Sequence, residues 1–579
     1  MDIKTLVKAV ISTLSLLFIT GTVSYTGIYG LFVLIILYFI YNAIEIDKNI
    51  FVKFTAGVFG IFAVLHLFQV NVYDQILGEY YLASQIIITL IIAAGIYLFM
   101  EALLSLLYHI FDLDWTGSEI KIKPLFIFLG SFILLVMIYL PVWMMEYPSN
   151  VSADTLDQIG QILSGSYVNH HPFVHTLWLR FLMCFSDEIN TRVGIAALLQ
   201  LISCAAVFAF VVRTVYVKTR KFSYGLLTFL FYSVLSFHAF YSITLIKDVT
   251  HASIACIFIS LLIYYFDEEK PVWNLVYLIL IGLFSIFFCL FRTNGYYAYV
   301  LMLLAAVWYT IKKKDKLLII VFVVAFVAST LIKGPLYDSM GIARVSYAES
   351  LSVPAQQIAL VIKNGHKLDK EDMDTLKKVI DVSKAAESYD VFLSDPIKNL
   401  LKAGDITYLE EHKMDYFKLW LKIGTEHPFE YMQAWVDQWS GYMSPHYYST
   451  SIFWGVWDNS YGIKASPRLV TGELNDGLHD LAYTQHDLPL IGWFHYPSLY
   501  TWLLFIMIGY VLRCKDTEGL LIVAPLLGIF LTLVISCPFN LCFRYYYAVI
   551  CCLPLFIMKP LLYRKEEADG SVLDSDTDL

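Results

Sequence analysis

The stretch that decides the fold is PLFIFLGSFILLVMIYLPVWMMEYPSNVSADTLDQIGQILSGSYVNHHPFVHTLWLRF, residues 124–181. Its first part, residues 124–142, is apolar and long enough to cross a bilayer, since a span needs roughly 20 such residues. Its second part, from Tyr147 onward, carries two aspartates and three histidines, no lysine, and one arginine near its end. Polar side chains of this kind beside a span indicate an outward-facing loop with a role beyond solvation.

The composition of the whole chain agrees with a membrane protein. Of the 579 residues, 58% are hydrophobic and only 15% are charged, which excludes a soluble globular protein. We therefore expect an all-α polytopic membrane protein with about 14 transmembrane helices. The predicted spans lie near residues 8–22, 28–43, 54–70, 82–110, 124–142, 192–216, 222–240, 249–266, 273–291, 294–311, 317–333, 496–512, 519–536 and 545–562.

Lysine and arginine are concentrated in alternate loops, which sets the orientation. The loops near residues 48–53, 218–221 and 312–316 are basic, whereas the loops 71–81 and 143–179 contain no lysine or arginine. By the positive-inside rule, both termini are cytoplasmic and the loop after residue 142 faces outward across the cell membrane. The net charge of −9 gives no indication of a nucleic-acid partner.

These spans divide the chain into four regions. Residues 1–333 form a transmembrane domain, with an outer loop 143–191 that carries interfacial helices. Residues 334–495 are richer in charge and in proline, and we expect a mostly α-helical extracytoplasmic domain. Residues 496–562 form C-terminal transmembrane helices, and residues 563–579 form an acidic cytoplasmic tail.

Two helices are predicted in the outer loop. Ser152 suits the N-cap of a helix over 153–164, and Gly165 suits its C-terminal stop. Pro172 suits the first turn of a second helix. Both segments are too short to cross a bilayer, so we expect them to lie at its surface.

Isolated basic residues at outer span ends break the positive-inside pattern. They are Lys247, Arg292, Lys333 and Arg544. Each one is explained by snorkelling or a local acid, but several on one membrane face favour a bound anion. Asp248 follows Lys247 directly and is expected to orient it or a metal ion.

A carboxylate facing such cations suits group transfer from a phosphate. We expect Asp154, with Asp157 as the second choice, to deprotonate an acceptor hydroxyl, supported by His171. Lys247, Arg292 and Arg544 would bind the phosphate of the donor. The plain alternative is a solvated helix face, and a divalent metal bound by His170, His171, His175 and an aspartate is a further option.

Several strings spread along the chain carry a resemblance to a known superfamily. They include YPSNVSADTLDQ, NHHPFVHT, TLIKDVTHA, FRTNGYY and FRYYYAVICCLP. In their order and outward placement they resemble the GT-C membrane glycosyltransferases, in a bacterial branch distantly similar to protein O-mannosyltransferases. The resemblance implies a polyprenyl-phosphate-sugar donor, sugar transfer with inversion at the outer face, and an essential acid at the position of Asp154.

The acceptor, which the sequence leaves open as a glycan, a lipid or a protein, is expected near the insert. Trp454, Trp457 and Asp458 lie in an aromatic loop that suits sugar stacking, although an interfacial aromatic belt has the same composition. Asn294, Gln356 and Gln357 are further candidates for the lining of the cleft.

The chain contains no glycine-rich phosphate loop, which favours a lipid-linked donor over a nucleotide sugar. A transporter or flippase of lipid-linked sugars or cell-envelope polymer is the main alternative. It would be expected to place its ionisable residues near the bilayer midplane, on broken helices. A non-catalytic protein of cell-wall assembly is the third option.

Overall fold

The protein is all-helical. The structure, a computed structural model, describes residues 2–19, 27–78, 80–113, 121–266, 271–446, 449, 455–466 and 472–560. Within these ranges 79% of the chain is helical and no β-strand occurs, apart from four isolated β-bridges. The predicted all-α class is therefore confirmed, whereas the predicted tail 563–579 and Trp454 lie outside the described residues.

The described part of the chain has fifteen helices before the insert, and all of them except α2 contribute side chains to one large apolar core. They are α1 (Ile3–Ile19), α2 (Ile28–Ala43), α3 (Ile50–Leu67), α4 (Val70–Ile76), α5 (Leu82–Asp112), α6 (Pro124–Met145), α7 (Ala153–Ser164), α8 (Phe173–Leu182), α9 (Ile189–Thr219), α10 (Phe222–Val234), α11 (Ser236–Ile243), α12 (Lys247–Phe266), α13 (Pro271–Leu290), α14 (Thr293–Lys313) and α15 (Lys316–Leu331).

Among the described residues, eight helices are long and apolar enough to cross a membrane. They are α3, α5, α6, α9, α12, α13, the segment Lys316–Ser339 and the later helix Thr517–Ser536. All eight coincide with predicted spans. The bent pair α10 and α11, which meet at 62°, adds a ninth if it is one span.

The other five predicted spans coincide with helices that are shorter, broken or more polar. The helix α1 has 17 residues and α2 has 16, while α14 begins with Thr, Asn, Gly and two tyrosines. The C-terminal candidates are the 17-residue Pro497–Arg513 and the broken pair Phe543–Cys551 and Leu553–Ile557. The count of about fourteen spans therefore stays a prediction.

The insert has its own apolar core, separate from that of the membrane helices. Its helices are α16 (Tyr337–Ser339), α17 (Ser352–Lys363), α18 (Lys370–Val379), α19 (Val382–Ser388), α20 (Asp395–Ala403), α21 (Ile406–Glu411), α22 (Lys413–Glu426), α23 (Pro428–Trp439) and α24 (Glu473–Tyr483). The chain then ends with α25 (Pro497–Arg513), α26 (Thr517–Ser536), α27 (Phe543–Cys551) and α28 (Leu553–Ile557).

The insert is joined to the segment that links α26 to α27. The Ser394 amide donates to the Pro538 carbonyl at 2.9 Å, and the Asn540 amide donates to the Phe392 carbonyl at 2.8 Å. The Asn540 side chain also donates to the Asp437 carbonyl at 2.6 Å. These bonds hold the chain a few residues before α27 begins, at Phe543.

The close approach of α14 and α26 provides a test of the helix packing. A Cβ atom on Gly528 would lie 2.6 Å from the carbonyl oxygen of Ala298, whereas one on Gly130 would meet nothing within 4 Å. We predict that Gly528→Leu lowers stability by about 1–3 kcal/mol through overpacking. Gly130→Leu should leave it nearly unchanged. Apparent melting temperatures in detergent check this, and equal values for the two variants would contradict the packing.

Candidate functional site

The segment between α6 and α9 forms a pair of short helices, as its sequence predicts. The helix α7 spans the predicted residues, with Ser152 at its N-cap position and Gly165 in the left-handed conformation at its end, φ 70°. Pro172 precedes α8. The buried amide of Gln158 contacts the Nδ1 atom of His175 at 3.0 Å and the hydroxyl of Thr176 at 2.9 Å, which holds α8 against α7.

One carboxylate lies between two cations that are distant in sequence. The Oδ2 atom of Asp154, in the first turn of α7, accepts from the Nζ atom of Lys247 and the Nη1 atom of Arg544, each at 2.9 Å. Lys247 is the first residue of α12, and Arg544 lies in the first turn of α27. The N-terminal ends of three helices therefore converge on Asp154.

His171 extends this arrangement to a second carboxylate. Its Nδ1 atom lies 2.9 Å from the Nζ atom of Lys247, and its Nε2 atom lies 3.2 Å from Oδ2 of Asp157. Because an ammonium group has only donors, Nδ1 accepts from Lys247 in this geometry. This assignment places the imidazole proton on Nε2, where it is donated to Asp157. We call Asp154, Asp157, His171, Lys247 and Arg544 the Asp154 cluster.

Arg292 and Asp248 form a separate ion pair behind the cluster. Their atoms Nη2 and Oδ1 are 2.9 Å apart, and both side chains are buried. Arg292 also donates to the carbonyl of Tyr545 at 2.8 Å. The Tyr545 ring lies 5.4 Å from the guanidinium of Arg292 and 5.2 Å from that of Arg544. Tyr545, which the sequence did not single out, thus connects the pair to the cluster.

The surrounding charges shift the pKa values of the outer-loop residues. Burial of Asp154 by itself raises the pKa, but Lys247, Arg544 and His171 together hold that pKa well below its usual range. The hydrogen bond from His171 lowers the pKa of Asp157. Burial, reinforced by Lys247, lowers the pKa of His175 to about 3. His175 is therefore neutral at physiological pH and acts as a packing and hydrogen-bonding group.

The cluster is suited to binding an anion near a carboxylate. Two cations meet one carboxylate at Asp154, and the side chains of Asp154, Lys247 and Arg544 are 23%, 17% and 15% exposed, so solutes can reach them. Asp154 is a weak base while both cations hold it. A phosphate that binds Lys247 and Arg544 would release the carboxylate at the same place.

Two predicted residues lie in a loop beside α7. The chain at residues 455–457 pairs with Val151, whose amide donates to the Gly455 carbonyl and whose carbonyl accepts from the Trp457 amide, each at 3.0 Å. Trp457 and Asp458 are exposed. Tyr461 of the same loop packs on Gly160, where an added Cβ would lie 2.2 Å from its hydroxyl oxygen. A glycine within an amphipathic helix is the sequence signal for this contact.

The remaining predicted residues lie outside the Asp154 cluster, although the ring of His170 is 4.8 Å from the ring of His171. His170 is exposed, and its Nδ1 lies 3.9 Å from Glu349. Asn294 is half-buried in the first turn of α14. Gln356 and Gln357 donate to backbone carbonyls of Asp390 and Tyr431, so these amides connect elements of the insert.

Among the described residues, one group of histidine and carboxylate side chains converges closely enough to bind a metal ion. It consists of His366, His427 and Glu430 in the insert. The predicted group of His170, His171 and His175 does not converge in this way, since His175 is turned toward Gln158.

The fold and the site together define an all-helical protein with several helices that can span a membrane and a charged cluster at three helix ends. The chain belongs to a family of unknown function (DUF6020), whose model matches residues 163–572. The match includes His171, Lys247 and Arg544, whereas Asp154 and Asp157 precede it. No curated protein and no solved structure matches the chain.

The charge balance of the cluster makes a prediction for stability. Asp154→Asn leaves Lys247 and Arg544 together without their carboxylate, and we expect a loss of about 2 kcal/mol at pH 7. Since the folded-state pKa of Asp154 is depressed, its contribution is present above the unfolded pKa of about 4 and is lost at lower pH. Melting temperatures at pH 7 and pH 3.5 should therefore differ less for the variant than for the wild type.

The matched control is Asp338→Asn. Asp338 also pairs with an arginine, Arg344, but both side chains are largely exposed. Exposed pairs contribute little to stability, so this variant should follow the wild type at both pH values. Equal melting curves for Asp154→Asn and Asp338→Asn would contradict the electrostatic role of Asp154.

Proposed function

We propose that the protein is an integral membrane glycosyltransferase of the GT-C type. It moves a sugar from a polyprenyl-phosphate donor to an acceptor at the outer face of the cell membrane. The observation that carries this proposal is the position of the Asp154 carboxylate between Lys247 and Arg544. Transfer from a sugar phosphate needs cations for the leaving phosphate and a base for the attacking hydroxyl, and both occur here within hydrogen-bonding distance.

The donor phosphate would take the place of Asp154 as the partner of Lys247 and Arg544. As the phosphate neutralises these cations, the pKa of Asp154 rises toward its ordinary value and the carboxylate becomes a better base. The acceptor oxygen then bonds to the anomeric carbon while the bond from that carbon to the phosphate oxygen breaks. The electron pair leaves with polyprenyl phosphate, and the acceptor proton goes to Asp154, with inversion at the anomeric carbon.

His171 and Asp157 would support the base. The Nδ1 lone pair of His171 faces Lys247, and Asp157 holds the opposite Nε2 proton. When Lys247 turns to the phosphate, the Nδ1 atom is free to accept a hydrogen bond from the acceptor or to receive a proton. His171 is thus a second proton acceptor beside Asp154, oriented by Asp157.

The acceptor would bind along the loop 455–466. Trp457 is 57% exposed, and the loop pairs with the residues just before α7. An exposed indole provides an apolar face on which a sugar ring can stack, and Asp458 offers hydrogen-bond acceptors for its hydroxyl groups. The placement beside α7 supports a glycan acceptor, whereas a lipid or protein acceptor would use the same surface with fewer polar contacts.

A transporter or flippase of lipid-linked sugars is the second candidate. The pair Asp248 and Arg292 favours it because both side chains are buried, although Asp248 is the second residue of its candidate span and therefore lies at a span end rather than near the middle. Ionisable residues inside membrane helices are typical of transport pathways. Cleavage of the sugar–phosphate bond distinguishes the two functions.

The activity test uses the purified chain with a panel of polyprenyl-phosphate sugars. We predict release of polyprenyl phosphate by the wild type and a loss of at least about 100-fold in Asp154→Asn, as expected when a general base is removed. Arg544→Met should also lower the rate, since it removes a donor to the phosphate. Asp338→Asn serves as the control and should keep full activity.

One result of this assay would contradict the proposed base, and another would contradict the proposed glycosyltransferase activity. Release that is the same in wild type and Asp154→Asn excludes Asp154 as the base. Movement of the intact lipid-linked sugar across vesicles without bond cleavage supports the transporter instead.

The same proposal includes a membrane topology. Fourteen crossings would leave both termini in the cytoplasm and the insert 334–495 outside, which places the Asp154 cluster at the level of the outer headgroups. The shorter helices α1, α2 and α25 would cross together with their neighbours, and α27 with α28 as one broken span.

Protease accessibility checks this topology. In spheroplasts, we predict that trypsin cleaves the exposed lysines of the insert, such as Lys367 and Lys370, while an epitope after Leu579 remains protected. After permeabilisation the epitope should be lost as well. Cleavage of the epitope in intact spheroplasts would place the C-terminus outside and contradict the arrangement.

A further inference from the structure

Two histidines and one glutamate converge at a corner of the insert, apart from the Asp154 cluster. His366 follows α17 directly after Asn364 and Gly365, His427 lies between α22 and α23, and Glu430 lies in the first turn of α23. Their ligand atoms all lie within 4.8 Å of one another. The Nε2 atom of His366 is 2.6 Å from Oε1 of Glu430, and the rings of His366 and His427 are 4.4 Å apart.

We propose that His366, His427 and Glu430 form a binding site for a zinc-type divalent cation. Imidazole nitrogens and a carboxylate oxygen are ligands that zinc prefers, and three of them leave a fourth tetrahedral position for water. The side chain of His366 is 38% exposed, and that of Glu430 is 12% exposed, so an ion can enter from solvent.

The presence of His427 distinguishes this site from an ordinary ion pair between His366 and Glu430. Glu430 and His366 alone would make a satisfied pair, and the junction of α22 and α23 places the ring of His427 beside that pair. Two imidazoles that lie side by side repel each other when both are protonated, whereas a shared cation bound by neutral imidazoles makes their proximity favourable. Opening the contact between His366 and Glu430 by less than about 1 Å would admit the ion, since zinc–ligand distances are about 2.0–2.1 Å.

A bound ion would connect three helices of the insert, α17, α22 and α23, at the place where they meet. Gln357 of α17 already bonds across this corner, accepting from the Trp420 indole at 2.7 Å and donating to the Tyr431 carbonyl at 3.0 Å. A bound ion adds a second connection between the end of α17 and the start of α23. Because α23 also carries Asp437, which bonds to Asn540 before α27, this connection stabilises the element that positions Arg544.

Zinc content of the full-length protein tests the site. The protein is purified in detergent, stripped with a chelator, incubated with zinc sulfate, dialysed, and measured by mass spectrometry of the metal. We expect about one zinc ion per chain in the wild type, near zero in His366→Ala and His427→Ala, and a reduced content in Glu430→Gln. His412→Ala is the matched control, because His412 lies in the same insert but stacks on Tyr408.

A second readout keeps the proposal falsifiable if an alanine variant folds poorly. Cobalt(II) added to the stripped wild type should give the visible absorption of a tetrahedral site, and His427→Gln, which keeps a polar side chain of similar size, should lack it. Zinc retention in the wild type that the histidine substitutions leave unchanged would overturn the site. Absence of retained zinc together with absence of the cobalt absorption would overturn it too.

Discussion

The way in which α7, α12 and α27 come together depends on one interaction, the shared contact of Asp154 with Lys247 and Arg544. The three residues belong to α7, α12 and α27, and the last lies 390 residues beyond the first. A carboxylate that is largely buried needs opposite charge nearby, and two helices that begin with buried cations need a carboxylate. The carboxylate of Asp154 and the cations of Lys247 and Arg544 therefore neutralise one another. The helix α7 is held where the N-terminal ends of α12 and α27 meet.

The insert contributes to this interaction without supplying a residue to it. It bonds to the segment 538–540, and α27 begins only a few residues later, at Phe543. The loop 455–457 pairs with Val151, two residues before α7 begins. Both the helix that carries Asp154 and the helix that carries Arg544 are thus preceded by backbone held by the region 334–495. The insert therefore holds the chain next to both helices without contributing a side chain to the Asp154 cluster.

The sequence predicted the helices better than it predicted the contacts between them. Among the described residues, hydropathy located all eight helices that are long and apolar enough to span a membrane, because a span requires a continuous apolar run. The outer helix was also predicted correctly, since Ser152 and Gly165 are local signals for its ends. The contacts of Gln356 and Gln357 are examples that the sequence did not predict. Their amides bond within the insert, and nothing in their local sequence distinguishes a packing amide from a cleft amide.

The sequence also did not predict which carboxylate each cation contacts. The sequence grouped Lys247, Arg292 and Arg544 by their common position at outer span ends, but their partners depend on helix packing. Arg292 pairs with Asp248, whereas Arg544 joins Lys247 at Asp154. In the proposed enzyme, this difference between the partners of the cations determines when Asp154 can act as a base. The two cations that a phosphate must recruit are those that suppress the basicity of Asp154, so the base becomes active only when the donor has bound. The Asp154 carboxylate therefore stays ion-paired in the empty site and gains basicity at the step in which an acceptor hydroxyl needs it.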